Sequence, residues 1–110
     1  MSTRRIIVGV VIVVMVCGIS VYAFAEKAAT SAGEKLFMAN CSVCHPDGSN
    51  IVNPKKTLHK KDRDANNVKT ADDIMHRMRH PGPGMTQFDE NAISNKDAHE
   101  IAEYIMKTFK

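Results

Sequence analysis

Cys41-Ser42-Val43-Cys44-His45 puts two thiols and an imidazole within five consecutive residues. C-x-x-C-H is the spacing of covalent c-type haem attachment. Two residues between the thiols let the sulfurs reach the two vinyl groups of one porphyrin, and the histidine that follows can offer a ring nitrogen to the iron. Three blander chemistries use the same residues: half of a zinc site, a redox dithiol, or a local disulfide. A zinc site needs two further ligands, yet His59, His76, His80 and His99 are scattered and no second C-x-x-C exists. A thioredoxin-like dithiol belongs in a βαβ pattern, and the chain has none.

Upstream of the motif the sequence reads as an export leader. Arg4 and Arg5 form a positive start, Ile6 to Val21 is a nearly unbroken apolar run, and Ala23-Phe24-Ala25 is a small-x-small cleavage site. Residues 1–25 are therefore expected to be a signal peptide, cut after Ala25, with residues 26–110 as the single domain and the periplasm as its destination. Ile6 to Ala25 is also twenty residues without a charge, enough to remain as an uncleaved membrane anchor. Arg4-Arg5 lacks the rest of a twin-arginine pattern. Cys17 follows Val16, where a lipoprotein site wants a small residue, so it reads as part of the leader.

What remains, Glu26 to Lys110, is 85 residues with no tryptophan. A domain of this size has little apolar interior and commonly needs a staple. A disulfide across Cys41 and Cys44 would close too small a loop to help much. A porphyrin would supply a large apolar surface for helices to pack on. Thirteen Lys plus Arg against twelve Asp plus Glu leave this segment near neutrality, which argues against nucleic-acid binding.

No internal repeat and no strand pattern is present, and three to four helices are legible. The first is expected from about Ser31 to Asn40, with Leu36 and Phe37 inward and Gly33 either fraying the start or admitting a close helix crossing. Asn53-Pro54 can start a short second helix, with Leu58 as its buried residue and Asn66-Asn67 as the turn after it. Thr70-x-x-Asp73 resembles a capping box for a third helix with Ile74, Met75 and Met78 on its apolar face, stopped by Pro81. Ser94 caps a last helix from about Asn95 to Phe109, in which Ala98, Ile101, Ala102, Ile105 and Phe109 recur at helical spacing.

Between the last two helices lies Pro81-Gly82-Pro83-Gly84-Met85-Thr86-Gln87-Phe88. Met85 sits in this stiffened loop, forty residues after His45, whereas Met38, Met75, Met78 and Met106 fall on helices. Met85 can be a second axial ligand, since a thioether favours ferrous iron and raises the potential. It can also be a gap-filler. His80 and His76 are the rival ligands, and His/His ligation would lower the potential.

Taken together these residues resemble a class I c-type cytochrome over nearly all of residues 26–110. The run Gly33-Glu34-Lys35-Leu36-Phe37-Met38-Ala39-Asn40 into Cys41–His45 is typical of the family. The run from Asn50 to Leu58 is similar to the plastocyanin-substituting c-six group and its bacterial periplasmic relatives. The resemblance implies an all-α cytochrome c fold of three to four helices around one covalent haem c. It implies Cys41 and Cys44 as the thioether positions and His45 and Met85 as axial ligands of the iron. Gly33 and Phe37 match positions that cross the last helix at Ile101 and Tyr104. The implied role is electron carriage between redox proteins rather than catalysis, and a monomer is the default expected for so small a carrier. Lys55–Asp64 is more charged than is usual in that group. Lys55, Lys56, Lys60, Lys61 and Arg63 against Asp62 and Asp64 read either as a solvated face or as a patch for an acidic redox partner.

Overall fold

The structure is a computed structural model that describes residues 32–110, and the expected leader lies outside the described residues. Among the described residues four α-helices follow in order: α1 over residues 32–40, α2 over Lys60–Ala65, α3 over Ala71–Arg79 and α4 over Asn95–Thr108. A short 3-10 turn, Pro46–Gly48, lies between α1 and α2, and no strand occurs among the described residues.

The core is built by α1, α3 and α4. Phe37, Ile74, Met78, Ile93, Ala98, Ile101, Ala102, Ile105 and Phe109 form one buried cluster. Ala98 and Ala102 are small and fully buried, which lets α4 sit close to its neighbours. Phe37 stacks at a tilt on Tyr104 and Phe109, with ring centroids 5.3 and 5.5 Å apart. Gly33 faces the backbone of α4. A β-carbon placed there would overlap the Glu100 carbonyl oxygen and come within 2.9 Å of Tyr104 Cβ. The glycine thus permits a close helix crossing, and the frayed-start reading is excluded.

Both long helices start as their sequences predict. The Thr70 hydroxyl accepts from the Asp73 N–H at 3.1 Å, and the Asp73 carboxylate accepts from the Thr70 N–H at 2.9 Å, a reciprocal capping box. Hydrogen bonds to the Asp73 carboxylate, the Lys69 N–H foremost, hold its pKa below the ordinary value. A lowered folded-state pKa means this cap stabilises the ionised form, and its contribution fades as pH falls through that lowered value. Ser94 caps α4 by accepting from the Asp97 N–H at 3.1 Å. α3 ends at Arg79, with His80 as its C-cap, because the residue before Pro81 is pushed out of helical geometry.

The short second helix differs from expectation. Asn53-Pro54 does not start it; it begins at Lys60, with His59 as N-cap. The reason is Asn50, whose side-chain oxygen accepts from the Val52 and Asn53 N–H groups at 2.9 Å each. Its amide also donates to the Lys56 carbonyl at 2.8 Å. One side chain thereby commits the backbone of 52–56 to turns. Leu58 is only half-buried, and the buried residue of α2 is Arg63. Asn66 and Asn67 do form the turn after α2, Asn67 taking a left-handed φ of 58°.

Arg63 also corrects the charged patch. It is 5% exposed, so it belongs to no docking surface. Its guanidinium donates to Met106 Sδ and, at 3.4 Å, to the Phe109 carbonyl. These contacts tie α2 to the end of α4. Burial lowers the Arg63 pKa from its ordinary value, and Asp64 opposes the shift.

Candidate functional site

α1 delivers the motif. The Cys41 and Ser42 N–H groups both donate to the Phe37 carbonyl, at 2.8 and 3.1 Å. Ser42 Oγ caps the Met38 carbonyl at 2.7 Å, and the Asn40 amide caps that of Leu36 at 2.9 Å. These bonds satisfy the last carbonyls of the helix and fix the direction in which the chain leaves it. The next turn closes through His45 N–H to the Cys41 carbonyl at 2.9 Å. Cys41, Cys44 and His45 therefore share one turn of backbone.

Cys41 is half-buried, Cys44 is exposed, and the two are not bridged. Burial, with Cys44 adding to it, pushes the Cys41 thiol up to about 11, so it is neutral near pH 7. His45 Nδ1 lies 2.8 Å from the Ser49 carbonyl oxygen. A carbonyl only accepts, so Nδ1 carries a proton, and in the neutral ring Nε2 then holds the lone pair. The 3-10 turn makes this possible: Gly48 N–H donates to the His45 carbonyl at 3.2 Å and Ser49 N–H to that of Pro46 at 2.9 Å. Among the described residues no three His, Cys, Asp or Glu side chains are arranged to hold a metal ion, which leaves the zinc reading without its further ligands.

Met85 comes from the other end of the chain. Gly84 has a φ of 89°, a backbone that L side chains rarely adopt. Its Cα edge faces Val52, where an added β-carbon would lie 2.7 Å from Cγ1. The contact joining the Met85 loop to the segment after the motif is thus Gly84 against Val52. Val43, Ile51, Val52 and Met85 are all exposed apolar side chains, 77, 62, 57 and 38% respectively. They belong to the motif, the segment that follows it, and the loop that touches that segment. Water is a poor neighbour for such a group of side chains, and a large apolar cofactor suits it. The donor set of two thiols and an imidazole fits a haem, and the approach of Gly84 to Val52 brings the Met85 loop to the segment that follows the motif.

The return of the loop is held by Arg79, which sequence reasoning missed. Its guanidinium donates to the Phe88 and Asp89 carbonyls at 2.8 and 3.1 Å. It also donates to the Ile93 carbonyl at 3.0 Å and Asn95 Oδ1 at 2.9 Å. Gln87 Nε2 donates to the Arg79 carbonyl at 2.9 Å, and Phe88 N–H to that of Met78, also at 2.9 Å. The one available signal was an arginine in the last turn of a helix that opens into a long loop. His76 and His80, the rival ligands, are both exposed, and their rings lie 4.8 Å apart.

A family model described as cytochrome C oxidase, cbb3-type, subunit III, matches residues 28–105. Cytochrome c6 of Synechococcus sp. is 31% identical over 106 residues, covering 96% of this chain and 92% of that protein. The chain belongs to the c-type cytochromes. Cytochrome c6 of Cyanidium caldarium is 34% identical over 74 residues, which cover 67% of this chain and 66% of the relative. Among solved structures, OmcF, an outer-membrane cytochrome F from Geobacter sulfurreducens, is 44% identical with a TM-score of 0.69. The match covers 71% of this chain and 99% of OmcF. The all-α fold is that of cytochrome c, and this c-type cytochrome carries one covalently bound haem c with its iron. Its function is that of a monohaem electron carrier.

Proposed function

We propose that Cys41 and Cys44 hold the haem as thioethers, that His45 Nε2 and Met85 Sδ are its axial ligands, and that the protein is exported to the periplasm to shuttle single electrons between redox proteins. The haem, when bound, supplies reversible one-electron chemistry at iron. The observation that carries the reading is the hydrogen bond from His45 Nδ1 to the Ser49 carbonyl, which orients the ring and raises the basicity of Nε2. Cys41, neutral and half-buried, and Cys44, exposed, are unbridged and available for attachment. Met85 completes the pair from a loop that Arg79 anchors. With both axial positions filled by protein, no site is left for a substrate, which suits a carrier better than an enzyme.

Export rests on residues 1–25, outside the described residues. No helix of the described residues is long and apolar enough to cross a membrane. We tie membrane association to an uncleaved leader. Lys55, Lys56, Lys60 and Lys61 are exposed and would face an acidic redox partner. Lys60 also pairs with Asp64, which weakens its share in any such patch. The default assembly for such a carrier is a monomer.

A carbon monoxide titration tests the closed iron. The ferrous holoprotein is expected to take up almost none at neutral pH while giving a single one-electron wave in a redox titration. Prompt stoichiometric binding would instead mark an open position and a sensor or peroxidase-like site. A second test addresses the loop. Arg79→Ala removes four hydrogen bonds from a charged donor, and a loss of about 2 kcal/mol in stability follows. It is also expected to let carbon monoxide displace the sixth ligand, with partial recovery in Arg79→Lys. An Arg79→Ala protein that loses stability yet excludes the gas as well as the parent does would confine Arg79 to a structural role.

A further inference from the structure

α3 carries its buried residues, Ile74 and Met78, on one side. At 100° per residue, His76 lies about 160° to 200° around the helix from both, on the solvent side. His80, the C-cap of α3, follows His76 by four residues, and its N–H donates to the His76 carbonyl at 2.8 Å. Both side chains are exposed, and the ring centroids are 4.8 Å apart with planes inclined by 43°.

That separation has a chemical meaning. With metal–nitrogen bonds of about 2.0–2.1 Å, two imidazoles bound cis to one ion have centroids roughly 4.5 Å apart at a right angle and roughly 5.2 Å apart at the tetrahedral angle. The observed spacing falls between the two. The pair keeps the i, i+4 sequence spacing with which helices present two imidazoles to zinc, with His76 in α3 and His80 at its non-helical C-cap. The neighbouring charges are mixed. Arg77 lies between the two histidines in sequence, Asp72 is exposed one turn below His76, and the Asp73 carboxylate is close enough to His76 to interact with it. Arg79 is turned away, its guanidinium occupied by Phe88, Asp89, Ile93 and Asn95.

We propose that His76 and His80 form a surface chelate for one divalent late transition-metal ion, separate from the haem iron, with water completing the coordination. Imidazole donors and the usual order of metal affinities place Cu2+ first, with Ni2+ and Zn2+ weaker. The chelate rests on the reading that Met85, and neither His76 nor His80, is the sixth iron ligand, which the spectrum and potential of Met85→Ala test without added metal.

The test titrates the ferric holoprotein with Cu2+, following heat and the cupric EPR signal. One equivalent is expected to bind, with nitrogen coupling from two imidazoles. His76→Ala and His80→Ala should each weaken binding about tenfold or more, because each turns a chelate into a single contact. His99→Ala, which removes an exposed histidine from α4, should leave it unchanged. Should His76→Ala disturb the visible spectrum, His76→Gln keeps a polar side chain on the same face and replaces it. Cu2+ affinity that survives loss of either histidine, or that falls equally with His99→Ala, overturns the proposal.

Discussion

Met85→Ala is expected to lower the reduction potential by on the order of 100 mV or more and to open the iron to carbon monoxide, read by redox titration and by the ferrous spectrum under the gas. Axial ligands move haem potentials over about 0.8 V, and a neutral thioether stabilises the ferrous state relative to water or a harder donor. Each 59 mV is a tenfold change in a one-electron equilibrium, so a shift of this size changes the oxidised-to-reduced ratio roughly fiftyfold. Loss of packing alone leaves the donor atom at the iron in place, so uptake of carbon monoxide separates loss of the ligand from loss of packing. Met85→His provides the matching control: it should lower the potential while keeping the gas out. If Met85→Ala leaves both potential and spectrum unchanged, another residue binds the iron, and His80 or His76 becomes the first to test.

The second large effect concerns stability. Gly33→Ala should destabilise the holoprotein by roughly 2 kcal/mol, seen as a fall in Tm of about 10 °C. Two contributions oppose each other here. Alanine is the better helix former by about 1 kcal/mol, so propensity alone would make the variant more stable. Against this, the new methyl group would meet the Glu100 carbonyl and come within 2.9 Å of Tyr104 Cβ. The carbonyl is α4 backbone and cannot rotate aside, so α1 and α4 must separate. That separation loosens Phe37, which is 2% exposed and packs on Tyr104 and Phe109. Loss of packing is expected to exceed the gain in propensity. A variant as stable as the parent, or more so, would mean that α1 and α4 do not cross here.

What the sequence disclosed and what it withheld follow from the range of the interactions. α3 and α4 were legible because their caps, Thr70 with Asp73 and Ser94, lie within three residues of the groups they satisfy, and their apolar positions recur at helical spacing. The motif was legible because Cys41, Cys44 and His45 must be adjacent to act together. α2 was misplaced because Asn50 spends its side chain on residues 52, 53 and 56, a competition that the Asn53-Pro54 pair does not reveal. Arg63 read as a surface charge because its partners, Met106 and Phe109, are more than forty residues away. Arg79 escaped notice for a similar reason: its four acceptors lie nine to sixteen residues downstream, with no local pattern to announce them. The Ser49 carbonyl that orients His45 belongs to the C-cap of the 3-10 turn, whose conformation depends on the left-handed φ of Asp47 and Gly48.

Attachment of haem through Cys41 and Cys44 leaves a covalent mark that survives unfolding. Peptide mass spectrometry on protein matured in an export-competent host, then denatured in acid and digested, addresses it directly. The peptide spanning Cys41 to His45 is predicted to retain one haem on both sulfurs after denaturation. Recovery of that peptide with two free thiols, or with a Cys41–Cys44 disulfide and no porphyrin, would contradict the account.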